Sequence, residues 1–156
     1  MRYLSGQPET RAETAAGIAR VQRCWAAWGT SWWAFIDLES GRVAGAGCIQ
    51  HVRREAAPPE DPTRLMGNPL EVGWRLHPDC WRRGLASEAA KAMVAFAFDR
   101  FAIDELLAVR HPDNTDSGRV MARLGMRFRG LEPWYGMEVA THVLSRADWA
   151  QAQAAA

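Results

Sequence analysis

Between Thr10 and Gly29 the chain reads TRAETAAGIARVQRCWAAWG, with Ile18, Val21, Trp25 and Trp28 at helical spacing and Arg20 and Arg23 on other faces. Thr10 and Glu13 have the spacing of a capping box, and Gly29 is a C-terminal stop. SWWAFIDL, the turn signal ESGR and VAGAGCIQHV then predict a two-stranded hairpin. Gly45 and Gly47 inside its second strand point to a bulge or a close backbone approach. Prolines and charges mark residues 53–69 as a loop, long enough to border a site. A strand, LEVGWRL, follows, and then a helix over 85–99 with Leu85, Ala89, Met93 and Phe96 as its apolar stripe. ELLAVRH is another strand, and NTDSGRVMARLG is a short helix with Val120, Met121 and Leu124 inward and Gly125 as its stop. MRFRGL and MEVATHVLS complete the strands, so helices and strands alternate as in an α/β domain with a mixed sheet. The domain is expected over residues 1–149, with residues 150–156 as a frayed tail.

A chain of 156 residues fits one domain with a real core. A net charge of +1 argues against a nucleic-acid binder, whose surface is clearly basic. No apolar run approaches the roughly 20 residues of a membrane span, and MRYLSGQPETRAE has no apolar signal-peptide core. Cys24, Cys48 and Cys80 are odd in number and far apart, which disfavours a disulfide framework or a zinc site and fits a reducing cytoplasm. His51, His77, His111 and His142 show no metal-ligand spacing, so no metal is expected.

The junction after LEVGWRL carries the most chemistry. HPD, then CWRRGLAS, then a helix has the outline of a strand–turn–helix anion site. The first helical turn offers unpaired N–H groups, Gly84 and Ala86 allow close approach, and Arg82 and Arg83 add charge suited to phosphates. The alternative is a structural turn with solvated arginines.

HPDCWRRGLASEAAKAMVAFAFD, followed some twenty residues later by HPDNTDSGRVMARLGMRFRG, resembles the GNAT superfamily of acetyl-CoA-dependent N-acetyltransferases. The resemblance is greatest to the branch of ribosomal-protein N-terminal acetyltransferases, and it covers nearly the whole chain from Met1 to Trp149. Trp81, Arg82, Arg83, Gly84, Leu85 and Ala86 occupy the family's Gln/Arg-x-x-Gly-x-Gly/Ala pattern, with tryptophan at its first position; Asn114 and Ser117 match the branch's Asn-x-x-Ser. The resemblance implies a mixed, mostly antiparallel twisted sheet flanked by helices, in which LEVGWRL splays from ELLAVRH to admit a pantetheine arm. It implies that coenzyme A is held by Trp74, Leu76, Trp81, Arg82, Arg83, Gly84, Leu85, Ala86, Ser87, Asn114 and Ser117. Trp74, Leu76 and Val72 also read as one packed strand face, and Asn114 as a helix cap.

The transfer needs a base for the amine and a proton for the leaving thiolate. Glu71, on the strand face opposite Val72 and Trp74, matches the family's glutamate base; burial would raise its pKa. It could equally pair with an arginine such as Arg75. The wider family's tyrosine acid falls at Met121, which has no proton to give, so Ser117 or Tyr135 is the candidate acid. Trp32, Trp33, Trp134 and Trp149 read as packing, with the loop of Trp134 overhanging the acceptor side. The reading is a cytoplasmic N-acetyltransferase acting on a primary amine, a protein N-terminus or a small molecule. The alternative is a non-catalytic acyl-CoA-binding or interaction module. Members of the branch place a strand and a helix before a segment like MRYLSG, so by the resemblance either the start is set too late or the domain lacks its first strand. Its open edge at SWWAFIDL would favour a homodimer.

Overall fold

The computed structural model describes residues 8–155, so the opening segment MRYLSG lies outside it. Helix α1 (Arg11–Trp28) starts with the expected capping box: the Glu13 N–H donates to Thr10 Oγ1 at 3.2 Å, and Glu13 Oε2 accepts from the Thr10 N–H at 2.7 Å. Gly29, at φ 69°, ends it in the left-handed region. Cys24 is the buried residue of its inner face, with Val21, Trp25 and Trp28 half-buried. Ile18 departs from the expected stripe, being 55% exposed, because the first turns of α1 are almost wholly in water.

Strands β1 (Trp32–Ile36) and β2 (Val43–His51) form the expected hairpin. Phe35 pairs with Gly45 but Ile36 with Val43, so Ala44 is the extra residue of a bulge. A side chain on Gly45 would overlap the Arg75 carbonyl oxygen, and one on Gly47 would strike the Phe35 ring and lie 2.8 Å from the Met93 sulfur. Both readings of these glycines are therefore realised.

The remaining elements are β3 (Leu70–Leu76), α2 (Leu85–Arg100), β4 (Glu105–Arg110), α3 (Thr115–Arg123), β5 (Arg127–Trp134), β6 (Met137–Ser145) and α4 (Arg146–Ala154). They build a six-stranded sheet in the order β1-β2-β3-β4-β6-β5, antiparallel everywhere except between β3 and β4. One core layer joins Ile49, Leu70, Val72, Leu106 and Leu144 to α2 and α3. The buried line of α2 is Ala90, Met93, Val94, Ala97 and Phe98, while the expected Leu85, Ala89 and Phe96 are half-buried at its margin. A smaller cluster contains Val52, Leu107, Trp134 and Val139. Residues 150–154, expected as a frayed tail, continue α4, which Ser145 caps and whose Trp149 stacks on Phe98 with centroids 6.4 Å apart.

Two features shape the site. The β5–β6 turn is Tyr135–Gly136, with φ of 59° and 72°, the mirror-image geometry of a tight two-residue hairpin. Its tip crosses the sheet: the Tyr135 and Gly136 N–H groups donate to Arg53 and Arg54 carbonyls, each at 2.8 Å. At the β1 edge, Trp33 packs edge-on against Trp25 and Phe96, and Arg75 lies over the Trp32 ring. These aromatics thus have cover that was not expected from the sequence.

Candidate active site

Strand β3 pairs with β2 along its whole length, from His51–Leu70 to Gly45–Leu76. With β4 it shares one registered pair, Glu71–Leu107. Beyond Glu71 no further registered pair joins the two parallel strands, and this is the junction where the sequence reading places the wedge. Trp74 packs on the main core and Leu76 is half-buried. The Leu76 carbonyl accepts from the Trp81 indole N–H at 3.0 Å, which folds the following turn back on the strand end.

Glu71 stands where the strands meet and is 4% exposed. Its Oε1 accepts from Gln50 Nε2 at 2.8 Å and from the Tyr135 hydroxyl, while Gln50 Nε2 also reaches the Tyr135 oxygen at 3.2 Å. No bond reaches Oε2 among the described residues. Burial pushes the Glu71 pKa up, and the bonds from Tyr135 and Gln50 and the charge of Arg53 oppose the rise. Burial and the Glu71 charge push Tyr135 up too, so its phenol stays protonated and donates. Glu71 forms no ion pair with Arg75, the bland partner suggested by the sequence; that guanidinium lies over Trp32.

At the far end of β3 the chain turns through Pro78–Cys80, passes Arg82 at φ 61° and enters α2 through Gly84 at φ 82°. Nothing lies within 4 Å of where a Gly84 side chain would begin, so the backbone angle rather than crowding calls for glycine. No side chain caps α2, and the Ser87 N–H already donates to the Gly84 carbonyl at 3.0 Å, which leaves the Leu85 and Ala86 N–H groups available to an anion. Leu85 and Ala86 open the helix, and Ser87 Oγ accepts from Arg123 Nη1 of α3 at 3.4 Å. Arg82 has no ion pair among the described residues, and Trp81 is 59% exposed beside it. Arg83 is placed differently from the sequence picture of a mobile phosphate ligand. Its guanidinium grips Asp37 at 3.0 and 3.3 Å and Glu39 at 3.2 Å.

Asn114 caps α3, its Oδ1 accepting from the Ser117 N–H at 3.2 Å. Ser117 is half-buried, and its hydroxyl has no hydrogen-bond partner among the described residues. Met121, where the wider family has its tyrosine, is 2% exposed in the core. Trp134 is buried, in line with the packing reading: its Nε1 donates to Glu132 at 2.9 Å, and Arg54 covers its ring. The structure thus gathers the α2 entrance and α3 through Ser87 and Arg123, and it gathers Glu71, Gln50 and Tyr135 at the base of the wedge. Gln50 was missed; its signal was a lone amide between Ile49 and Val52 in an apolar strand. Asp37 was missed inside the strand segment SWWAFIDL; β1 ends one residue before it, at Ile36.

Comparison with known proteins follows the same lines. Residues 1–127 match the family model described as an acetyltransferase (GNAT) domain. An uncharacterized N-acetyltransferase of Bacillus subtilis, YnaD, is 38% identical over 61 residues, which is 39% of this chain and 36% of that protein. The match thus spans about a third of that relative's length. A solved GNAT-family acetyltransferase from Bordetella pertussis, described as putative, superimposes with a TM-score of 0.74 at 23% identity, covering 91% of this chain and 81% of that one. A phosphinothricin acetyltransferase from Sinorhizobium meliloti, solved in complex with AcCoA, gives a TM-score of 0.62 at 18% identity over 90% of this chain and 71% of that one. With most of its length matched by the family model, the chain belongs to the acetyltransferase (GNAT) domain family.

Proposed function

We propose that the chain is an N-acetyltransferase that moves an acetyl group directly from acetyl-CoA to a primary amine, on a protein N-terminus or a small molecule. The observation that carries this reading is the position of Glu71, a buried carboxylate at the one point where β3 and β4 still meet.

The residues fit the donor. An uncapped α2, an Arg82 without an ion pair among the described residues and a left-handed Gly84 suit a pyrophosphate, and past Glu71 β3 has no further registered pair with β4. Trp74, Leu76, Trp81 and Arg82 to Ser87 would line the donor, with Asn114 and Ser117 at the head of α3; Arg83 would act through the loop it anchors. Bound there, acetyl-CoA would supply an acetyl thioester.

An alkylammonium is a poor nucleophile until it loses a proton. Glu71 Oε1 is held by Tyr135 and Gln50, which leaves Oε2 to take that proton, and burial raises its pKa towards the operating range. Tyr135 has its proton committed to Glu71. Ser117 is therefore the hydroxyl available to hydrogen-bond to the leaving thiolate, or to pass it a proton that the serine recovers from solvent.

The test is coenzyme A release and acetyl-amine formation by the purified chain across an amine panel, with Glu71→Gln alongside. Turnover that falls in the variant supports the reading. Acetyl-CoA binding without turnover of any amine would instead support a non-catalytic acyl-CoA-binding module.

A further inference from the structure

A small cavity of about 30 Å³ lies between α1 and the end of β2, and two arginines, Arg20 and Arg53, line it. Trp28, Gln50, His51 and prolines 58, 59 and 62 are among its other walls, and no carboxylate lines it. Neither arginine has an ion pair within 4.0 Å among the described residues. Arg53 uses Nη2 on the Ala56 carbonyl at 3.0 Å and rests its guanidinium over the Tyr135 ring, but its Nε is buried without a partner. A buried donor left unsatisfied in this way is uncommon and costly.

The remaining polar wall carries no carboxylate, and the negative charges that reach Arg53, those of Glu71 and Glu55, act from beyond it. His51 Nδ1 lies 2.7 Å from the Asn68 carbonyl oxygen. A carbonyl can only accept, so Nδ1 carries the proton and Nε2 the lone pair. Burial pushes the His51 pKa down and keeps the ring neutral. Gln50 links the cavity to the chemistry, since the amide that walls it also donates to Glu71 Oε1 at 2.8 Å.

We propose that this cavity is an anion subsite for the acceptor, and that the acceptor is an amino-carboxylic acid. Its carboxylate is held by Arg53 and Arg20 while its nitrogen, a few bonds away, meets Glu71. The volume is on the order of one or two water molecules, enough for the two oxygens of a carboxylate. Guanidinium binds carboxylate through charge-assisted, often paired hydrogen bonds, and two cations near one cavity repel a diamine or a lysine-rich peptide. The inference rests on Glu71 being the base.

The experiment measures acetyl transfer to free amino acids, their methyl esters and unbranched diamines at saturating acetyl-CoA. At least one amino acid is expected to exceed its own ester by about tenfold or more in kcat/KM, the scale of one charge-assisted contact. Arg53→Gln and Arg20→Gln should each bring that ratio towards one, mainly by raising KM for the acid. Arg20 is exposed on α1, so its variant tests the idea even if Arg53→Gln folds poorly. Arg11→Gln, on the exposed first turn of α1, should keep the ratio. Esters or diamines used as well as the acids, or a ratio that survives both cavity variants, would overturn the subsite. If acetyl-CoA binds but nothing in the panel turns over, calorimetric titration with the amino acids decides, and no uptake also overturns it. Full activity in Glu71→Gln would remove the base assignment instead, and failure to bind acetyl-CoA would remove the proposed function.

Discussion

Arg83, at the entrance to α2, closes on Asp37, 46 positions earlier in the β1–β2 turn. Two guanidinium nitrogens meet the two carboxylate oxygens, Ser40 adds a hydroxyl bond at 2.8 Å, and Glu39 joins from outside. The bonds from Arg83 and Ser40 hold the Asp37 pKa below its ordinary value, and the same pair raises that of Arg83. The ion pair fastens the α2 entrance to the neighbouring hairpin and leaves Arg82 as the freer cation. Arg82→Ala should therefore weaken coenzyme A binding and flatten its salt dependence. Arg83→Ala and Asp37→Ala should weaken it through loop placement, so the double variant should lose little more than the worse single one. Calorimetric affinities check this; additive losses would mean that Arg83 touches phosphate itself.

Two glycines separate backbone angle from space. Gly84 sits at φ 82° and Gly17 in the body of α1, and a side chain on either would meet nothing within 4 Å. Alanine at 84 must adopt a left-handed angle at a cost of about 1 kcal/mol, whereas alanine at 17 gains about 0.5–1 kcal/mol of helix preference. Thermal melts should move down and up respectively, by roughly 2–4 °C per kcal/mol. Only the Gly84 change should also reduce coenzyme A affinity.

Glu71→Gln should lower turnover by about 10²-fold if Glu71 is the base, and flatten the acidic limb of the rate profile. It also has a stability signature. The folded pKa of Glu71 is raised, so the folded state holds its proton more tightly than the unfolded chain does. The stabilisation is complete below the unfolded pKa and is lost as pH rises through the folded one. At pH 8 the variant, spared a buried charge, should melt above the parent; near pH 4 the two should converge. A parent that gains stability relative to the variant on going alkaline would contradict the raised pKa.

Tyr135→Phe removes one hydroxyl and keeps the ring under Arg53. Glu71 Oε1 then loses a donor that favours the carboxylate, so the acidic limb should move to higher pH, and the maximum rate should fall through poorer positioning of Oε2. A purely structural hydroxyl would leave the limb where it is.

What the sequence made legible was local. Thr10 and Glu13 announce α1, Gly125 stops α3, and the two glycines of β2 mark the bulge and the close approach, because each signal acts within a few residues. The α2 entrance was legible for the same reason. Less legible were relationships set by the folded sheet: Gln50 and Tyr135 meet Glu71 across 21 and 64 positions, and Asp37 meets Arg83 across 46. The family resemblance could identify Glu71 as a candidate, but not the two neutral donors that meet it. Helix α4 escaped because RADWAQAQA has one large apolar side chain and no stripe.

Among the described residues the sheet ends at β1, whose sequence WWAFI carries no charge and no proline, the usual guards of an exposed edge. Trp32, Trp33 and Phe35 are half-buried within the chain, but Ile36 is 51% exposed, Leu38 94% and Val43 63%. These three lie in or beside the β1–β2 turn, where the Asp37–Arg83 pair holds the backbone in place. A fixed apolar patch next to a strand whose outer edge has no partner among the described residues favours association, although five residues of strand offer few bonds. The chain should therefore form a dimer through this edge, dissociating on dilution. Light scattering across a concentration series measures it, and Ile36→Lys with Val43→Lys should shift the population to monomer while leaving the melting temperature nearly unchanged. A parent chain that stays monomeric at every concentration, or charged variants that still dimerise, would place the contact elsewhere or nowhere.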